Sequence, residues 1–199
     1  SHEAFTRAFR DQFGVTPESV RAQGNLENIP LLEALVMSAQ KLTIDPPRIE
    51  NGKLLLIAGL NQRYATVEAG GQIPAQWQRF ARYLGSIRGQ VGQTTYGVCY
   101  NSDDEGNMDY LCGVEVSDFS GLPTEFSRLR LTPQKYAVFF HREHISAVRG
   151  TWNTIWNDWL PKSGYEPADA PLFERYDQRF DPLSGNGGVE LWVPLKSAT

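Results

Sequence analysis

A chain of 199 residues with 41% hydrophobic and 21% charged residues has the profile of a folded protein, long enough for one ordinary domain with a sizeable core plus a small appendage. A formal net charge of −4 excludes a surface that binds nucleic acid throughout, because neutralising phosphates takes clustered Lys and Arg; only a local basic patch stays open. No run of about eighteen apolar residues occurs and the start lacks a signal peptide's apolar stretch, so a cytoplasmic protein without membrane contact is expected.

In chain order, Ser1 is placed to cap a helix along which Phe5, Phe9 and Phe13 recur one turn apart, until Gly14 ends it. Thr16-Pro17 starts a second short piece. Residues 1–24 are too few for a core of their own. Leu31, Leu32, Leu35, Val36, Ala39 and Leu42 mark a helical connector over 25–46, stopped by Asp45-Pro46-Pro47.

From residue 47 to 199 the pattern predicts strands at Leu54 to Ala58 and Arg63 to Glu68, then a helix with Trp77, Phe80, Ala81 and Leu84 on one face. Strands at Thr94 to Tyr100 and Tyr110 to Val116 follow, joined by a polar turn. The order then returns: strands at Arg128 to Leu131 and Tyr136 to Phe140, a helix marked by Val148, Trp152, Ile155, Trp156 and Trp159 and ended near Pro161, then strands at Leu172 to Phe180 and Val189 to Leu195. This is an α+β fold of duplicated strand-helix-strand-strand units, expected to pair about a pseudo-twofold axis with a ligand cleft where they meet.

Two resemblances enter here. Ser1-His2-Glu3-Ala4-Phe5-Thr6-Arg7-Ala8-Phe9-Arg10, with Phe13-Gly14-Val15-Thr16-Pro17 and Arg21, resembles the end of an AraC-type helix-turn-helix domain. That resemblance implies that His2, Thr6 and Arg7 face DNA while the phenylalanines pack inward, and that most of the DNA-binding domain is missing from a fragment. Residues from about Pro47 to Lys196 resemble the GyrI-like effector-binding fold, carried by Leu172-Phe173-Glu174-Arg175-Tyr176 and by Val189 to Lys196. In that family a glutamate placed like Glu174 is associated with bulky, cationic and aromatic effectors.

Period-two alternation puts Glu174 between Leu172 and Tyr176 on one face of its strand, with Arg175 on the other. An unpaired carboxylate in an apolar cleft is costly, so Glu174 is expected to be protonated, paired or completed by a ligand; an exposed or salt-bridged strand glutamate is the plain alternative. Glu190, beside Trp192, poses the same question with a solvated edge as the plain alternative. Tyr64, Tyr96, Tyr136, Tyr176, Trp77, Trp152 and Trp156 are candidates for an aromatic wall, and Trp159 a weaker one.

Cys99 and Cys112 flank a polar turn that would set them opposite one another, although two buried apolar thiols fit a reducing compartment better. His141 and His144 lack zincin spacing, Asp103-Asp104-Glu105-Gly106 fails the calcium-loop alternation, and Gly185 to Gly188 has no helix after it. No cofactor or metal is therefore expected.

The expected function is ligand sensing in a bacterial transcription regulator: a small amphipathic or cationic aromatic effector bound at Glu174, transmitted through the connector to DNA binding, with homodimerisation left open. The alternative is a GyrI-like hydrolase of cyclopropane-bearing toxins in which Glu174 is general acid or base, aided by Tyr136 or Tyr176. A protein-interaction module has no sequence signal.

Overall fold

The computed structural model describes residues 44–196, apart from the side chains of 66–68 and 70. The AraC-like opening with His2, Thr6 and Arg7, and the expected connector up to residue 43, lie outside the described residues.

The elements in chain order are β1 (Arg48–Asn51), β2 (Leu55–Ala65), α1 (Thr66–Ala81), β3 (Gln90–Tyr100), β4 (Asn107–Val116), β5 (Ser127–Leu131) and β6 (Lys135–His141). A 3-10 turn (Ile145–Ala147), α2 (Val148–Thr154), a π-helical stretch (Ile155–Trp159), α3 (Leu160–Ser163), β7 (Leu172–Tyr176) and β8 (Val189–Leu195) complete them. The strands form one antiparallel sheet in the order β1-β6-β8-β7-β3-β4-β2-β5.

That order cannot lie flat. β5 and β6 stand six places apart, about 29 Å in a flat sheet, whereas the chain from Leu131 to Lys135 reaches about 15 Å at most. The sheet must curl into a half-barrel. Ile57, Val98, Leu111, Leu131, Tyr136, Val138 and Phe173, drawn from both flanks and the centre, meet on the inside of the curl.

The other face carries the helices. α1 buries Phe80 against Ala58, Cys112 and Val114, while Ile155 of the π stretch packs with Phe139, Leu191 and Val193. Trp77 touches both clusters and closes the gap between them. Alternation in β8 serves both faces, with Val189, Leu191, Val193 and Leu195 toward the helices and Trp192 inward.

Several expected boundaries are corrected. β2 is one strand through Gly59 and Asn61 rather than two, because Gly59 pairs with Gly113 and the Asn61 side chain bonds Asp109 across the ladder. Residues 66–68 begin α1 instead of ending a strand. Ala81 and Leu84 are exposed, and Gln76 is the buried neighbour of Phe80 on α1. Pro161 sits in the first turn of α3 and does not end the helical run. β7 stops at Tyr176 because the Asp177 carboxylate takes the Arg179 backbone N–H and turns the chain. β1 has no counterpart in the sequence reading. The β3–β4 register sets Cys99 opposite Tyr110 and Cys112 opposite Gly97, so the two free thiols do not face each other.

Two glycines give opposite expectations. A Cβ at Gly59 would lie 2.0 Å from the Cys112 carbonyl oxygen, backbone that cannot give way, so Gly59→Ala is expected to lower the unfolding free energy by roughly 1–3 kcal/mol. Gly71, exposed within α1 with nothing inside 4 Å, is expected to gain about 0.5–1 kcal/mol as alanine. Urea unfolding midpoints of the two variants check both signs.

Candidate functional site

β7 lies at the centre of the sheet, and its alternation turns Glu174 and Tyr176 toward the helices while Phe173 faces the inside of the curl. The Tyr176 hydroxyl donates to Glu174 Oε2 at 2.7 Å. A second hydroxyl reaches the same oxygen at 3.1 Å from Tyr110 on β4, one strand beyond β3. Its ring must cross β3, and the residue there, opposite Glu174 in register, is Gly97. A Cβ on Gly97 would sit 2.1 Å from the Tyr110 hydroxyl and 3.0 Å from Oε2, so only glycine leaves the crossing open.

The helices supply the cover. From α2, Trp152 Nε1 donates to Glu174 Oε1 at 3.0 Å. From α1, Trp77 Nε1 donates to the Tyr110 hydroxyl at 3.0 Å, and its ring meets Tyr176 edge-on at 5.2 Å. Glu174 is left 8% exposed, yet all three of its donors are neutral. Among the described residues no Lys, Arg or His nitrogen pairs with it.

The electrostatics follow. Burial and then the negative charge of Glu174 hold the Tyr110 and Tyr176 hydroxyls well above the usual tyrosine value, and the Cys99 thiol is pushed up by the same two causes. The acid is thus held by neutral donors, without a cationic partner among the described residues.

Glu190, also buried at 5%, is handled in the opposite way. Arg48 and Arg179 donate to its Oε1 at 2.9 and 3.3 Å, and Arg175 and Trp192 to its Oε2 at 3.1 and 3.2 Å. Burial pushes its carboxyl up, but Arg48, Trp192 and Arg175 outweigh burial and hold it below the usual range. The solvated edge considered for Glu190 is corrected to a buried ion-pair network.

Of the other sequence candidates, Tyr176 and Trp152 bond Glu174 and Trp77 stands one link away. Trp156 and Trp159 pack in the apolar cluster under α2. Tyr64 is buried elsewhere, donating to Gln76 Oε1 at 2.8 Å. Tyr96 and Tyr136 lie inside the curl against Phe173, on the face away from Glu174. Sequence reasoning missed Tyr110 and Gly97; the glycine inside a strand was the available signal for a close approach. His141 is engaged with Thr151 and the His144 carbonyl, and no group of three or more potential metal ligands occurs among the described residues. A hollow of about 620 Å³ is lined by Leu84, Ile87, Gln90 and Thr95, and at Glu174 the Trp152 indole lies against Oε1.

The raised tyrosines fix a pH dependence. An unfolded tyrosine loses its proton near pH 10 while Tyr110 and Tyr176 keep theirs, so above about pH 10 the unfolded state binds fewer protons and stability falls as pH rises. Unfolding free energies measured from pH 8 upward are expected to hold until about pH 10 and then decline, less steeply in Tyr176→Phe.

The profile of the GyrI-like small molecule binding domain matches residues 45–196. The transcriptional regulator BrlR of Pseudomonas aeruginosa is 33% identical over 128 residues, 63% of this chain and 47% of BrlR, so the chain spans about half the length of that relative. The structure of SAV2435 bound to tetraphenylphosphonium superposes with a TM-score of 0.64 at 20% identity, covering 77% of this chain and 95% of that one. The EcmrR C-terminal domain superposes with a TM-score of 0.56 at 12% identity, covering 79% of this chain and 100% of that domain; EcmrR in complex with DNA gives 0.54 at 13%, covering 91% of this chain and 65% of EcmrR. No helix among the described residues is long and apolar enough to cross a membrane. The match over residues 45–196, more than half of the chain, makes this chain a member of the GyrI-like small molecule binding domain family.

Proposed function

We propose that residues 47–199 form the effector-binding domain of a bacterial transcription regulator, and that the effector is a bulky aromatic cation whose charge is met by Glu174. One observation carries the reading: a buried carboxylate held by three neutral donors and by no cation among the described residues. A lipophilic cation supplies the missing charge, and the faces of Trp152, Trp77 and Tyr176 suit its rings. Trp156, Tyr64, Tyr96 and Tyr136 have no bond to Glu174, and of these Trp156 keeps a place in the proposal as a wall of the α2 side. The tetraphenylphosphonium held by SAV2435 is a cation of this kind, and BrlR is a regulator.

Residues 1–24 are the AraC-type remnant in this reading, with His2, Thr6 and Arg7 toward DNA, and residues 25–46 transmit the effector's presence. The duplicated-unit reading draws support from the sheet order, which reads the same from either edge when β1, β2, β3 and β4 exchange with β5, β6, β7 and β8. The hydrolase alternative is disfavoured: Glu174 already accepts bonds on both oxygens, Tyr176 is a weakened acid, and Tyr136, pushed up to about 12 by burial, is on the opposite face.

Calorimetric titration with tetraphenylphosphonium tests the site. Glu174→Gln keeps the shape and removes the charge, and is expected to weaken binding at least about tenfold, as loss of a desolvated charge pair does. Equal affinity in Glu174→Gln, or no binding by the wild type, would sink the reading. Operator affinity of a full-length regulator that stays constant at saturating cation would remove the regulatory half.

A further inference from the structure

α2 is a weak helix. Its seven residues, Val148–Thr154, include Gly150 and the β-branched Val148, Thr151 and Thr154, and it runs directly into the π-helical stretch. A segment of that length and composition holds its place by side-chain anchors rather than by its own hydrogen bonds. Three anchors are visible: Ile155 fully buried among apolar residues, Trp152 on Glu174, and Thr151 on His141.

The third anchor is unusually well defined. His141, 2% exposed at the end of β6, places Nε2 3.2 Å from the His144 carbonyl oxygen and Nδ1 2.8 Å from Thr151 Oγ1. A carbonyl only accepts, so Nε2 carries a proton; in the neutral ring Nδ1 is then the bare nitrogen, and the Thr151 hydroxyl donates to it. Thr151, itself 4% exposed, immediately precedes Trp152, so the bond fixes the backbone from which the indole reaches Glu174.

We infer that His141 and Thr151 are positioning residues forming a catch that keeps Trp152 seated on Glu174 and so sets how readily the site admits its effector, an inference that rests on Glu174 being the effector's counter-charge. Neither residue bonds Glu174; both act through Trp152. The carboxylate is free to meet a cation only in the fraction of molecules whose indole has left Oε1, and the apparent Kd is the intrinsic one divided by that fraction. Weakening the catch therefore tightens binding, the reverse of what general damage to the site does.

Thr151→Val keeps the side-chain shape and deletes the donor. Tetraphenylphosphonium is expected to bind this variant roughly fivefold more tightly than wild type, the factor that one net hydrogen bond supports, while Thr151→Ser restores wild-type affinity. The second readout needs no ligand: proton exchange at the Trp152 indole N–H, followed by NMR, is expected to quicken in Thr151→Val and return in Thr151→Ser, with Trp77 unchanged. Unchanged Trp152 exchange, or weaker binding by a folded Thr151→Val, overturns the catch while leaving Glu174 as the binding group. A wild type that binds no tetraphenylphosphonium overturns both.

Discussion

An acid inside a protein needs its charge met, and the molecule meets Glu174 with hydroxyls and an indole rather than with a guanidinium. Hydrogen bonds to an ionised group contribute about 1.5–3 kcal/mol each, so three can offset an effective desolvation penalty of several kcal/mol without cancelling the charge. Much of the local architecture serves that arrangement. β3 carries glycine where Tyr110 crosses, β7 brings Tyr176 to the same face, and both helices end up with a tryptophan over the centre of the sheet. Glu190 shows what the same sheet does with an acid whose charge is neutralised: three arginines surround it and leave no unmet charge. The contrast separates an ion-paired carboxylate from one held by neutral donors more firmly than burial does, since both are buried.

Closure of the sheet decides where a receptive site has room. The short link between β5 and β6 pulls both flanks together, and the inside fills with side chains from Ile57 to Phe173. The helix face is different. α1 covers β2 and β4, the α2 region covers β6 and β8, and the central pair β3 and β7 is left to be roofed by whatever the helices extend toward each other. Indoles do this well because they combine a large apolar body with one donor. A roof made of side chains yields more easily than a packed core, which is what the proposed function would ask of the fold's central gap.

The sequence was most legible where apolar and polar residues alternate along one strand. Val189 to Leu195 was bounded correctly, and the stretch from Leu172 placed Glu174 with Tyr176 without knowledge of any neighbour. Legibility failed where the deciding contact is non-local. Gly59 and Asn61 look like a break until Gly113 and Asp109 stand opposite them. β1, with little apolar content, is a strand only because β6 offers an edge. Tyr96 and Tyr110 are equally good aromatics on paper, but inter-strand register pairs Tyr96 with Arg175 and sends it inward, while Tyr110 comes over Gly97 to the carboxylate.

Register also explains why likeness of fold alone says little about the site. The sheet would tolerate a slip of one residue in β7 poorly, because every side chain would change faces, yet that hypothetical slip is instructive. It would carry Arg175 to the helix side and Glu174 to the inside, near Arg48 and Arg179, the other two arginines that hold Glu190. The acid would become a second structural ion pair, and the covered point under Trp152 would hold a cation of its own. Under the proposed function, recognition of a positive effector would therefore depend on parity: Glu174 faces the indoles without a cationic partner among the described residues, and Arg175 beside it is committed to the opposite face.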